Sequence, residues 1–292
     1  MFEGVSTALV TPFQSDASID EGRLREHVER QIAAGVHGLV PVGTTGESPT
    51  VSHAENIRIV AVTVDQAAGR VPVIAGTGSN STAEAVDMTQ KAKDVGATAT
   101  LQVSPYYNKP SQEGLFRHFS RVADEGGLPV IVYNIPGRTG KNIETETLIR
   151  LAAHDMIVAV KEASGDIAQV MDVIRARPDG FEVLAGDDNL ALPIMMLGGE
   201  GVISVASNVV PTEMRTLVEL VAGNEFDEAR KLHYHLLPLF RAMFLDTNPI
   251  PVKYVLSWLG YMDEVYRLPM CELSEQNKRA IEGLLDQLDI RA

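Results

Sequence analysis

Short apolar runs rich in β-branched residues alternate with stretches of helical periodicity along most of the chain. The runs fall at residues 5–10, 38–42, 71–75, 99–103, 130–134, 157–161, 183–186 and 201–204. Between the first two, Asp20 precedes a stretch with Leu24, Val28 and Ile32 on one helical face, closed by Gly35. Ser52-His53-Ala54-Glu55 and Ser81-Thr82-Ala83-Glu84 read as capping boxes that open two more helices. Further helices are predicted near residues 112–124, 144–153, 167–175, 190–197 and 212–222. Roughly eight strand–helix units, spaced about 25–30 residues apart, predict an α/β fold of the (β/α)8 TIM-barrel type. The runner-up is a doubly wound open sheet, which often carries a glycine-rich nucleotide loop. No such loop is present, and Gly76-Thr77-Gly78 is too short a match.

After Gly223 the alternation stops. Residues 225–245 and 274–288 read as helices, and Pro249-Ile250-Pro251 opens a shorter one through Trp258. The expected organisation is a catalytic barrel at residues 1–223 and a C-terminal helical extension at residues 224–292, with no flexible linker.

Composition narrows the function classes. The chain has 292 residues, of which 45% are hydrophobic, enough for a large core. A net charge of -14 argues against nucleic acid as a partner, since phosphates need a basic footprint. The one cysteine, Cys271, excludes an internal disulfide framework and fits a reducing, cytoplasmic setting. The first residues carry no Lys/Arg-led apolar run that would read as a secretory signal. No apolar stretch is long enough to span a bilayer, so a membrane role is not expected.

The run at 157–161 ends on Lys161. A lysine within a dry sheet would cost several kcal/mol, but at the strand's carboxyl end it can enter a cleft. Desolvated there, it can lose its proton near neutral pH and attack a carbonyl carbon. The bland alternative is a strand-end lysine reaching solvent. A barrel brings the ends of all its strands to one mouth, and the other ends here carry polar groups of a matching kind. Gly43-Thr44-Thr45-Gly46-Glu47-Ser48 follows the second strand, and its N–H groups and hydroxyls suit a carboxylate. Tyr106 and Tyr107 follow the fourth, Tyr133 and Arg138 the fifth, Gly186-Asp187-Asp188 the seventh, and Ile203-Ser204 closes the eighth. An amine, phenols, threonine hydroxyls and an arginine suit imine chemistry on an anionic keto substrate. Asp187-Asp188 reads as a cation site or, more simply, as a helix N-cap. The seven histidines are scattered and no metal-binding motif appears, so neither metal nor cofactor is expected. No glycine-rich phosphate cradle follows the last strands, which favours a non-phosphorylated substrate.

These segments together resemble the dihydrodipicolinate synthases (4-hydroxy-tetrahydrodipicolinate synthases), of the N-acetylneuraminate lyase superfamily of Schiff-base barrels. The resemblance runs from Thr7-Ala8-Leu9-Val10-Thr11-Pro12-Phe13 to Asn248-Pro249-Ile250-Pro251-Val252-Lys253. It implies that Lys161 forms an imine with pyruvate, and that the enamine attacks L-aspartate β-semialdehyde. It further implies a proton relay of Tyr133, Thr44 and Tyr107, the last lent by the neighbouring subunit of a tight dimer within a dimer of dimers. Thr45 matches the pyruvate-carboxylate position, and Arg138, Gly186 and the carbonyl of Ile203 match the second-substrate site. Inhibition by L-lysine is implied at Ser48, Pro49, His53, Asn56, Asn80, Glu84 and Tyr106. Asn56 and Pro49 stand where lysine-sensitive members often carry histidine and alanine. Related readings are an N-acetylneuraminate or 2-keto-3-deoxy sugar acid lyase, and a catalytically silent metabolite-binding barrel. Thr44-Thr45, Tyr106-Tyr107 and Arg138 favour the synthase.

Overall fold

The structure, a computed structural model, describes residues 2–291. Eight strands form one parallel sheet: β1 (Gly4–Ala8), β2 (Gly38–Val40), β3 (Ile74–Gly76), β4 (Ala99–Val103), β5 (Val130–Asn134), β6 (Ile157–Glu162), β7 (Glu182–Ala185) and β8 (Gly201–Ser204). They lie in the order β2-β1-β8-β7-β6-β5-β4-β3. The two ends of that order meet through a parallel bridge between Leu39 and Val73. Across the seam Leu39 N–H donates to the Pro72 carbonyl and Gly76 N–H to that of Pro41, both at 3.0 Å. The sheet therefore closes into the expected barrel.

The two seam strands are shorter than their apolar runs. Proline has no N–H for a ladder, and Pro41 ends β2 just before Val42 turns left-handed at φ 54. Pro72 likewise delays the start of β3 to Ile74. Side chains alternate with period two across the barrel wall. Ile131 and Tyr133 of β5, Ala159 of β6, Leu184 of β7 and Ile203 of β8 fill the interior. Val130, Val132, Val160, Val183 and Val202 face the surrounding helices.

Among the described residues there are twelve α-helices: α1 (Glu21–Ala33), α2 (His53–Ala67), α3 (Thr82–Asp94), α4 (Gln112–Gly126), α5 (Pro136–Thr139), α6 (Thr145–Ala152), α7 (Ile167–Ala176), α8 (Ala191–Met196), α9 (Pro211–Ala222), α10 (Phe226–Ala242), α11 (Ile250–Trp258) and α12 (Glu275–Gln287). None is long and apolar enough to cross a membrane. The single turn α5 was not expected from the pattern. Leu236 and Phe240 of α10 and Ile281 and Leu285 of α12 belong to the same apolar cluster as the helix layer of the barrel.

The Ser52–Glu55 capping box at α2 is complete in both halves. The one expected at α3 does not form. Ser81 makes no side-chain cap bond, and its own N–H goes to Ser79 Oγ at 3.0 Å. That N–H is the donor Glu84 would have taken in a capping box. Ser79 Oγ in turn donates to Glu84, which frees the glutamate to face the barrel mouth. Asp188 is also not an N-cap of its own turn. Its Oδ2 accepts Val205 N–H at 3.0 Å and Ala206 N–H at 2.8 Å, tying the end of β7 to the end of β8.

Candidate active site

Strand register sets the first two groups. Tyr133 of β5 and Lys161 of β6 are direct partners, and both point into the barrel end. Lys161 Nζ lies 4.3 Å from the Tyr133 ring centroid, and Lys161 is only 5% exposed. Burial is the largest influence on the amine and pulls it down from 10.5 to about 8. Asp188 and Asp187 act against that fall and Arg138 acts with it. Burial also raises the Tyr133 phenol to about 12, against the nearby Arg138 and a hydrogen bond with the Thr44 side chain. The amine is therefore the group poised to react near neutral pH, and the phenol holds its proton.

Gly186 gives this amine its room. A Cβ there would meet Ala163 Cβ at 2.7 Å and Lys161 Cε at 3.1 Å. Gly186, just after β7, thus lets the backbone come against the lysine stem where a side chain would press on it.

The turn at Gly43–Ser48 folds back on itself. Gly46 N–H donates to the Gly43 carbonyl and Glu47 N–H to that of Thr44, each at 3.1 Å. The N–H groups of Thr44 and Thr45 are not used in these bonds. Thr45 Oγ1 accepts from Asn248 Nδ2 at 3.0 Å. The carbonyl of the same asparagine accepts from Arg138 Nη2 at 3.2 Å. Asn248 Oδ1 is buried with no hydrogen-bond partner.

Thr44, Thr45, Tyr133, Arg138, Lys161 and Gly186 line one cavity of about 70 Å³, together with Asp187, Phe244 and Asn248. Six of the eight expected catalytic and substrate positions thus meet. Ile203 is fully buried in the barrel interior, and Val205, not Ile203, lines this cavity. Tyr107 lines neither this cavity nor the next. It is 91% exposed and sits at φ 71, uncommon for a bulky residue.

A second cavity, of about 200 Å³, is lined by Ser48, Pro49, His53, Asn56, Glu84 and Tyr106. Thr44 and Tyr133 line this one too, so the two spaces share a wall. His53 Nε2 lies 2.6 Å from Glu84 Oε1. Asn56 donates to the Gly76 carbonyl at 3.0 Å and leaves its Oδ1 buried and unpartnered. Asn80 lies outside the lining and donates to the Tyr106 carbonyl at 3.1 Å. Among the described residues no group of three or more His, Cys, Asp or Glu is placed to hold a metal ion.

Asn248 was not singled out as a site residue from sequence. Asn248 meets Thr45 across 203 positions, a separation that no local pattern encodes. The Asn248-Pro249-Ile250-Pro251 run was read as the start of a helix and as part of the resemblance, and neither reading points to Thr45.

Residues 1–288 match the model of the dihydrodipicolinate synthetase family. The chain is 50% identical over 292 residues to the 4-hydroxy-tetrahydrodipicolinate synthase of Methanospirillum hungatei, covering 99% of this chain and 100% of that one. Dihydrodipicolinate synthase from Acinetobacter baumannii, solved with pyruvate, superposes with a TM-score of 0.97 at 39% identity, over 99% of this chain and 100% of that one. The enzyme from Cyanidioschyzon merolae, solved with lysine bound, gives 0.96 at 39% identity, over 99% of each chain.

The depressed amine has a direct consequence. Competitive labelling with a small acylating reagent, followed by peptide mass mapping, reads the neutral fraction of Lys161. Its labelling should rise with pH around a midpoint near 8. A midpoint at the ordinary lysine value of 10.5 would show that the amine is not desolvated in solution.

Proposed function

The chain belongs to the dihydrodipicolinate synthetase family, and on that premise we propose that Lys161 forms an imine with pyruvate in the smaller cavity. Its activity is the synthesis of 4-hydroxy-tetrahydrodipicolinate from pyruvate and L-aspartate β-semialdehyde, a step of lysine biosynthesis. The observation that carries the mechanism is the buried Lys161 amine against the Tyr133 ring, in a cavity that also holds Arg138 and the Thr44–Thr45 turn. The neutral amine adds to the keto carbon of pyruvate, and water leaves as the imine forms. Loss of a methyl proton gives the enamine. Its carbon attacks the aldehyde of the second substrate, and the substrate's amino group then closes the ring and displaces Lys161.

The turn at Thr44–Thr45 receives the pyruvate carboxylate through N–H groups and the Thr45 hydroxyl. Arg138 grips the carboxylate of the semialdehyde. Gly186 lines the same subsite, with Val205 in the place expected of Ile203. Asp187 and the free Asn248 Oδ1 suit its ammonium. Tyr133, Thr44 and Tyr107 move protons. Tyr107 points away from its own cavity at 91% exposure, so it serves a second copy of the chain. The assembly is a tight dimer, paired again as a dimer of dimers.

We assign the larger cavity to L-lysine as an inhibitor. Glu84, freed from capping by Ser79, offers a carboxylate to an ammonium, and Asn56 offers an unused acceptor. The lysine-bound relative supports this reading. The shared wall at Thr44 and Tyr133 gives a bound lysine a route to the proton relay.

The deciding assay offers the purified protein pyruvate with aspartate semialdehyde, against N-acetylneuraminate and 2-keto-3-deoxygluconate. Turnover is expected with the first pair. Borohydride should trap pyruvate on the native protein, whereas Lys161→Ala should lose trapping and on the order of a thousandfold or more in kcat. A mutant still labelled at full yield would remove Lys161 from this role.

Tyr107→Phe should slow turnover about a hundredfold while imine formation persists. Mixing it with Lys161→Ala subunits should restore activity through hybrid dimers. Failure of proven hybrids to recover would place Tyr107 in its own chain's site.

L-Lysine should release or absorb heat in calorimetry and reduce the initial rate, and Glu84→Ala should weaken both about tenfold. Inhibition unaltered by that substitution would locate the ligand elsewhere.

A further inference from the structure

Behind the turn, on the side away from the cavity, Lys253 of α11 meets Glu47. Lys253 Nζ and Glu47 Oε1 are 2.5 Å apart, with side-chain exposures of 0% and 1%. The other carboxylate oxygen of Glu47 accepts the Arg267 N–H at 3.2 Å. Lys253 also donates to the Val265 carbonyl at 2.6 Å and lies 4.3 Å from the Phe13 ring centroid. Arg267 continues the chain of contacts by a two-pronged grip on Glu55 of α2, at 2.7 and 2.9 Å. None of these side chains lines the smaller cavity.

The location of the pair is informative. Glu47 follows Thr45 by two residues and holds the left-handed conformation at φ 57, which costs a non-glycine residue energy. Its N–H closes the turn on Thr44. Lys253 follows Asn248 by five residues, and Asn248 holds Thr45 from the cavity side. One segment of the C-terminal helices therefore grips the turn at two points, at the substrate face through Asn248 and at the back through Lys253. A buried ion pair is a poor device for stability alone, because apolar residues of similar size often serve as well or better. It is a good device for fixing geometry, since neither charge can move away without losing its partner.

We propose that the Glu47–Lys253 pair is a positioning device that fixes the Thr44–Thr45 turn for the pyruvate carboxylate. This rests on the imine reading above. The pair acts through the turn and touches no substrate. It sets affinity for pyruvate, not the capacity of Lys161 to react.

The test is borohydride trapping across a range of pyruvate concentrations, with labelling read by intact mass. In Glu47→Gln/Lys253→Met, an uncharged pair of similar size, the half-saturating pyruvate concentration should rise about tenfold or more, with labelling still complete at saturation. Half-saturation equal to that of the native protein would overturn the proposal. So would partial labelling at unaltered half-saturation, since lost folded protein lowers yield without moving affinity. If the double variant does not fold, Glu47→Gln alone decides, with a rise of about threefold or more expected and an unaltered value overturning the proposal. Native protein that cannot be labelled at any concentration would instead sink the imine reading itself.

Discussion

Withholding water from one amine is the constraint on which the site depends. An ammonium in a dry barrel end is costly, so burial favours the neutral form that can attack a carbonyl. The barrel produces this burial by register. Tyr133 and Lys161 are paired across β5 and β6, and Gly186 at the end of β7 leaves space on the other side for the lysine stem alone. Ala159 lies one inward step below Lys161 and packs in the interior with Ile131 and Leu184. The same inward stripe that fills the barrel thus delivers the reactive group at its last position. No separate element is needed to hold it.

The strands were legible because β-branched runs separated by helical periods recur through the chain, and the barrel is the closed solution for eight such units. Lys161 was legible for a related reason, since a charged residue closing a buried run has few places to go. The shortened β2 and β3 could also have been read, from Pro41 and Pro72, as ladder positions without donors. The misread α3 cap shows a limit of local motifs. Ser81 and Glu84 have the right spacing, but Ser79, two residues earlier, takes the N–H first. The helical partners of the turn were not legible at all. Asn248–Thr45 and Lys253–Glu47 span 203 and 206 positions, and only the closed fold brings them together. Tyr107 was placed at the mouth by its position after the fourth strand, but within its own chain it is 91% exposed and lines neither cavity.

The C-terminal helices are more than an outer layer. Through Asn248, just ahead of α11, they touch both the Thr44–Thr45 turn and Arg138, so a shift of α11 would move both at once. Arg267 extends the linkage to α2 through Glu55, and α2 begins at His53, in the wall of the larger cavity. The Thr44–Thr45 turn, Arg138 and the larger cavity are therefore connected by packed polar contacts as well as by the shared wall at Thr44 and Tyr133.

The electrostatics of the mouth meet two opposed demands. An amine must be neutral to attack a carbonyl, yet an imine formed from it works as an electron sink only when protonated. Burial and Arg138 favour the neutral amine, whereas Asp187 and Asp188 favour the cation. Asp188 is itself pushed up to about 6 by burial, so it is mostly ionised at neutral pH. A value near 8 for Lys161 lies between these demands. In the proposed mechanism the pyruvate carboxylate beside the amine would tip the balance toward the cationic imine. The protein's net charge of -14 does not oppose entry of these anions at close range, because charges more than about 8 Å from the mouth are largely screened at physiological ionic strength. What an arriving carboxylate feels is the local set of Arg138, Lys161 and the turn N–H groups, against two carboxylates already engaged with the lysine and the backbone.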